Sequence, residues 1–226
     1  PDDLSKANNY YEYTKALAGN TLQELFFTKY PEKLWGIPTK ELDANWAPKR
    51  VQITEERRAF YQDQWSAVGN EGSGTILGCL EKKVLDLGGV INLEETIQNI
   101  QLSNSNNINK IVTDKRDINL MPKDIVINTT SCTNFSRFLG FETNLKYRGV
   151  ILVMLELSTA KVLPEGVDFI YVDDEDIFFN RVSDQNSFIK DPSPDTTIMC
   201  CEITYSPDDK YDVMNEDELF NNVKTQ

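Results

Sequence analysis

The densest group of side chains able to hold a ligand lies between Tyr30 and Trp46, YPEKLWGIPTKELDANW, with two Trp, one Tyr, two Pro and one Gly. Large aromatic rings are costly to leave in water, so this stretch needs a wall to pack on or a flat ligand to stack on. Gly36 and Pro38 interrupt a helix there and make a shaped corner instead of a repetitive face. Taken as isolated residues, Tyr30 and Trp35 read as packing aromatics. Arg148, at a strand start, reads as a surface or ion-paired side chain.

A second candidate is the glycine-rich turn Gly69, Gly72, Gly74 ahead of a helical pattern. Free backbone N–H groups at such a turn can cradle a phosphate. It lacks the Lys-Ser/Thr ending of a P-loop, and no dinucleotide fingerprint follows a strand, so a plain helix start is the leading reading. The acidic run Asp173-Asp174-Glu175-Asp176 lacks the alternating ligand positions and glycine of a calcium loop and reads as a solvated turn. The chain has no histidine, which removes Ser-His-Asp and Cys-His nucleophiles and any His-ligated metal. Cys79, Cys132, Cys200 and Cys201 show no C-x-x-C spacing. They read as core thiols of a reducing compartment, with Cys200 and Cys201 on opposite faces of a strand. No metal site is expected.

The 226 residues are 40% hydrophobic and 26% charged, ordinary for a globular protein with a sizeable core. A net charge of −13, from 23 basic and 36 acidic side chains, argues against a general nucleic-acid binder. No apolar run approaches the roughly 20 residues that span a bilayer. A cytoplasmic location with no membrane span is the expectation. The chain starts at Pro1 without a Met and stops inside a helical pattern, which reads as a piece of a longer protein.

The elements that would position these residues follow from periodicity. Helices are predicted over 3–17 and 20–34, the second capped by Asn20 or Thr21, and a charged helix over 54–65. Ile76, Leu77, Leu80, Val84 and Leu87 share one side of a further helix that Gly88-Gly89 ends. Residues 90–93 and 96–101 read as extended, 103–109 as a hairpin loop, 111–113 as a strand, 117–122 as a turn and 124–129 as a short buried strand. Val150–Leu157 reads as a central strand, followed by strands at 169–172, 177–182 and 197–204 and a closing helix over 216–223. The fold class is α+β: a helical N-terminal part with a mixed or largely antiparallel sheet of about five or six strands. Three segments result: 1–70 helical, 71–130 with the glycine turn, helix and first strands, and 131–226 strand-rich.

These residues also carry a family resemblance. The run from Phe26 to Pro38, FFTKYPEKLWGIP, resembles the central part of FAD-dependent amine-oxidase-like proteins, including the protoporphyrinogen-oxidase-like branch and UDP-galactopyranose mutase. Gly72-Ser73-Gly74-Thr75-Ile76, Asp124–Thr129, Tyr147-Arg148 and the stretch Ile170–Val182 agree in the same order. So do Pro192-Ser193-Pro194 and Asp217-Glu218-Leu219 near the end. The family's G-x-G-x-x-G flavin-binding start and second flavin-contacting motif are not in the sequence, so the chain resembles the substrate-binding middle of such a protein. By resemblance, residues 71–130 are the flavin-domain segment.

The resemblance implies FAD in the full-length protein, with weak or no FAD binding by this chain alone. Its implied partners are the FAD-binding segments of the parent chain and a small-molecule substrate, a nucleotide sugar or polysaccharide precursor. For substrate it implies Tyr30 and Trp35 as walls of a uridine pocket, Trp65 as a further aromatic, and Arg148 facing a diphosphate. Phe179 stands where the mutases carry a tyrosine hydroxyl for the phosphates. For the cofactor it implies Gly72, Ser73 and Gly74 close to the isoalloxazine, Ile97 by the adenine, and Thr129 and Thr130 where the chain passes the flavin. Phe179, and Glu71 in place of a glycine, depart from the mutase pattern. The leading expectation is therefore the central part of an FAD-dependent oxidoreductase. The alternatives are a mutase-like isomerase using reduced flavin and a non-catalytic binding domain of the same fold.

Overall fold

The computed structural model describes residues 3–49, 51 and 72–226; the predicted helix over 54–65, Trp65, Gly69 and Glu71 lie outside the described residues. The chain divides into two compact units, Pro1–Ile76 with Tyr147–Gln226, and Leu77–Lys146.

In the first unit, helix α1 spans Tyr10–Phe26. Asn9 caps it by accepting from the Glu12 N–H at 2.9 Å, and the Glu12 carboxylate accepts in return from the Asn8 N–H at 2.9 Å. The break expected between helices over 3–17 and 20–34 falls at Gly19, whose φ of 79° only glycine adopts freely. The first helix begins later, at Tyr10, and the second gives way at Phe27, ahead of a separate helix. Thr14 and Gln23, both fully buried, hydrogen-bond across that kink. Helix α2, Lys29–Trp35, ends on Gly36 in the left-handed conformation. Tyr10, Leu42 and Ala47 form a small core with Trp46, Tyr13 and Phe27 packed around it.

The same unit holds a four-stranded antiparallel sheet made of β4 (Gly149–Leu157), β5 (Phe169–Tyr171), β6 (Arg181–Asp184) and β7 (Thr197–Tyr205), in the order β4-β7-β6-β5. Helix α5, Glu216–Thr225, brings Leu219 and Val223 onto one sheet face, against Val153, Leu155, Val182, Cys201 and Ile203. Asn215 caps α5, and Glu216, Asp217 and Glu218 sit in its first turn, where negative charge meets the positive helix end.

Two expectations are corrected here. Val150–Leu157 is an edge strand of this sheet, not a central one: Val153 and Leu155 face the core, while Leu152 is 53% and Met154 49% exposed. The interior positions belong to β7 and β6, and in β7 Cys201 and Ile203 are fully buried. The predicted strand over 177–182 starts later, at Arg181, because Ile177 and Phe178 pack sideways against the core.

The second unit comprises helix α3 (Gly74–Asp86, which begins in the first unit), strands β1 (Ile97–Leu102), β2 (Ile108–Thr113) and β3 (Asp117–Asn119), and helix α4 (Cys132–Phe138). The strands form a second antiparallel sheet in the order β1-β2-β3. The predicted hairpin loop is tight: the Ser103 N–H donates to the Asn107 carbonyl at 2.8 Å. The stretch read as a turn over 117–122 contains β3, paired with β2 through Ile118 and Ile111. Residues 90–93 and 124–129 form no strand, and the latter is not buried: Ile125 is 86% and Ile127 81% exposed. A short apolar run becomes a strand only where a neighbour offers backbone partners. Cys79 and Cys132 are exposed, against the expectation of core thiols, whereas Cys200 and Cys201 are buried.

Candidate functional site

Helix α2 is seated on the sheet face opposite α5, and its seat is polar. The Thr204 hydroxyl on β7 donates to the Lys33 carbonyl at 3.0 Å. Arg148, just before β4, donates from Nε to the Leu34 carbonyl at 3.1 Å, and from Nη2 to the Lys33 carbonyl at 3.3 Å and Thr204 at 3.2 Å. Its Nη1 donates to the Ser206 hydroxyl at 2.6 Å, with Asp209 3.8 Å away. These bonds satisfy the orphan carbonyls at the end of α2 with a cation where the helix dipole favours one. Burial lowers the Arg148 pKa, and Asp209 works against that shift.

Lys33 fastens the other side. Its ammonium donates to the carbonyls of Asp174 at 2.7 Å, Phe179 at 2.7 Å and Val172 at 3.4 Å, so α2 holds both ends of the acidic loop between β5 and β6. Burial pushes the Lys33 pKa down to about 8, against the opposing charges of Asp173, Asp174 and Glu175.

Tyr30 and Trp35 stand five positions apart, which on a helix of 3.6 residues per turn rotates them by about 140°. They accordingly face different neighbours. The half-buried Tyr30 packs its ring on Tyr171 of β5, centroids 4.4 Å apart. Trp35, 38% exposed, meets Trp46 edge-on at 5.6 Å. The sheet register continues the Tyr30–Tyr171 contact into a cross-strand row, Tyr171 beside Arg181 and Arg181 beside Glu202. Arg181 pairs with the Glu202 carboxylate, and its guanidinium lies 5.5 Å from the centre of the Phe169 ring. Burial opposes the charge on Arg181, but the bond and charge of Glu202, with smaller contributions from Tyr171 and Tyr30, raise its pKa.

Sequence reasoning missed Tyr171, Arg181, Glu202 and Lys33. The signal was present: Phe169 and Tyr171 at strand spacing beside a basic residue opening the next strand. Phe179 lies on the other side, 8% exposed in the core under α5. There it joins Leu155, Val172, Met199 and Phe220 in walling a cleft of about 670 Å³.

The residues named for a flavin are distributed over both units. Gly72 has φ +87°, and a Cβ on Gly72 or Gly74 would meet nothing within 4 Å, so the turn leaves room for a flat group to approach its backbone. Ser73 beside them is exposed, Ile97 opens β1 half-buried, and Thr129 and Thr130 are exposed. The N–H and hydroxyl of Thr130 both donate to Asn128 Oδ1, at 3.1 and 2.7 Å. None of Gly72, Ser73, Gly74, Ile97, Thr129 and Thr130 carries a charged side chain. Among the described residues no cluster of His, Cys, Asp or Glu could hold a metal ion, and no helix is long and apolar enough to cross a membrane.

A helical layer seated by polar contacts on an antiparallel sheet, with an aromatic and cationic row at the seam, defines an α+β domain. The sequence model of the UDP-galactopyranose mutase family matches residues 25–224, and the chain belongs to that family. Among solved structures it is similar to one described as the crystal structure of reduced UDP-galactopyranose mutase, with a TM-score of 0.70 and 15% identity over 96% of this chain and 51% of that one. The chain thus spans about half the length of that relative. A comparison with curated proteins finds no match. The flavoprotein resemblance drawn from the sequence therefore holds at the level of family and fold.

Proposed function

We propose that this chain is the substrate-binding portion of a UDP-galactopyranose-mutase-like flavoprotein, and that it receives a nucleotide sugar at the seam between α2 and the β5–β7 face. The observation that carries the reading is the Tyr30–Tyr171 ring pair, Tyr30 half-buried and Tyr171 exposed, at the edge of a sheet face that also bears Arg181. A planar base stacks on such rings at low entropic cost, on the order of 1–3 kcal/mol per base. Trp35 borders the same helix end, and Arg148 holds that end in register.

FAD binds mainly to polypeptide corresponding to the other half of the matched relative. Within the first unit Gly72, Ser73 and Gly74 are candidate FAD contacts, and within the second, separately, Ile97, Thr129 and Thr130 are. When bound, the flavin supplies the electron-rich ring on which the chemistry depends. The work of this chain is to orient the sugar and exclude water. The family match favours isomerisation within a nucleotide sugar over net oxidation.

Calorimetric titration of the protein with UDP and with uridine tests this. Binding of both is expected, with Tyr30→Ala weakening each about tenfold, the equivalent of one lost stacking contact. Absence of heat with either, or a Tyr30→Ala titration indistinguishable from the parent, overturns the reading.

A further inference from the structure

We infer that Lys33 is a positioning residue of this site: it fixes the chain just beyond Tyr171 and so keeps the Tyr171 ring on Tyr30. Its effect on a bound base rests on the nucleotide-sugar reading above; its hold on the ring pair does not.

Tyr30 and Lys33 are three positions apart on α2 and are therefore neighbours on one helix face. The two grip consecutive residues of the chain opposite. Tyr30 meets the Tyr171 ring at 4.4 Å, and the Lys33 ammonium donates to the carbonyl of Val172, the next residue, at 3.4 Å. Its shorter bonds, both 2.7 Å, run to the Asp174 and Phe179 carbonyls. The lysine is itself anchored, its own carbonyl accepting from Thr204 and Arg148.

Tyr171 needs such a hold. It ends β5, a three-residue strand at the sheet edge, and its ring is 42% exposed. Short edge segments with few buried contacts open at little cost. The loop that follows carries Asp173, Asp174, Glu175 and Asp176, whose like charges push it outward. The first three attract the Lys33 ammonium, and Lys210 opposes it. Gln226 holds the far limb of the loop, through the Phe178 N–H at 2.7 Å and the Asp176 carbonyl at 2.9 Å. The limb next to Tyr171 is the one that Lys33 ties to α2.

Tyrosine ring NMR signals and uridine titration of the intact protein test the inference. The Tyr30 signals, assigned by their loss in Tyr30→Phe, are expected to shift in Tyr171→Ala, because the neighbouring ring is gone. Lys33→Met is expected to move them in the same direction. It is also expected to weaken uridine about fivefold or more, the lower end of one stacking contact. In a Tyr171→Ala background the same substitution is expected to leave uridine affinity unchanged, as a residue acting through Tyr171 must. Unmoved Tyr30 signals in Lys33→Met overturn the inference, and so does an equal loss of affinity in both backgrounds. Where Lys33→Met does not fold, Lys33→Arg gives the same readings, since a planar fork cannot reproduce the three bonds of an ammonium. Tyr30 signals that follow Lys33 in a protein binding no uridine refute the nucleotide reading alone. Uridine binding that depends on Tyr30 and not on Lys33 refutes this inference alone.

Discussion

Arg148 fills the space that a side chain at Gly36 would need: a Cβ placed on Gly36 would lie 2.7 Å from Arg148 Nη1 and 3.0 Å from its guanidinium carbon. Gly36 also has φ +67° and closes α2 by donating its N–H to the Glu32 carbonyl at 2.7 Å. The helix bearing Tyr30 and Trp35 is thus terminated by the same contact that fastens it to the sheet. Gly36→Ala meets a strained backbone and a blocked guanidinium together. The expected loss is about 2 kcal/mol, or roughly 5 °C in melting temperature, measured by thermal unfolding. A melting temperature unchanged within about 1 °C would mean that Arg148 relocates freely.

Lys33 predicts an unusual pH dependence. Its folded pKa of about 8 lies below its ordinary 10.5, so between these values the unfolded chain binds a proton that the folded chain does not. Stability therefore rises as pH increases through that window, because the folded state no longer carries a half-buried charge. Lys33→Met is expected to be less stable at pH 7, since three carbonyls lose their donor, and to lack this rise. Denaturant midpoints at pH 7, 8.5 and 10 for both proteins decide it. Parallel curves would sink the assignment.

The parts of the fold that local pattern controls were legible in the sequence. The Gly88-Gly89 stop, the tight loop after Leu102, β7 and the closing helix from Glu216 are all set by neighbours within a few residues. The edge position of β4 was not legible, because an apolar run says that a strand is buried somewhere and not which strands flank it. Residues 124–129 failed for the converse reason, having the apolar run of a strand and no strand paired with them among the described residues. At the site, the aromatic corner was visible as a cluster of residue types. That Tyr30 meets Tyr171 while Trp35 meets Trp46 depends on a crossing of more than a hundred residues in the first case and on helix phase in the second. Arg148 was found by its motif, but its partners Thr204 and Ser206 lie far along the chain.

Asp184 anchors the far end of the sheet. It is fully buried and accepts from the Thr197 hydroxyl at 2.6 Å, the Val162 N–H at 2.8 Å and the Asn186 N–H at 3.2 Å. Burial alone would raise its pKa, and these bonds together bring it below the ordinary carboxylate value of 3.8. The stability it contributes is present above that value and is lost as pH falls through the lowered one. Asp184→Asn places a donor among donors and is expected to destabilise by about 2 kcal/mol at pH 7, with the gap to the parent narrowing below pH 4. Urea midpoints across pH 2.5–7 measure the gap; a constant difference would show that the charge is irrelevant.

Helix α3 has no buried residue, with Leu77 at 67%, Leu80 at 59% and Leu85 at 51% exposed. Apolar side chains already in water contribute little to folding, since the hydrophobic gain scales with the area removed from solvent. Leu77→Glu and Leu80→Glu together are therefore expected to change the unfolding free energy by less than about 0.5 kcal/mol, as surface substitutions do. The same double variant should bind less of a hydrophobic dye such as anilinonaphthalene sulfonate, because a contiguous apolar stripe is the kind of surface such dyes and partner chains occupy. A large loss of stability would show that α3 buries this stripe in solution. Unchanged dye binding would place the sticky surface elsewhere, with the exposed Ile125 and Ile127 the next pair to substitute.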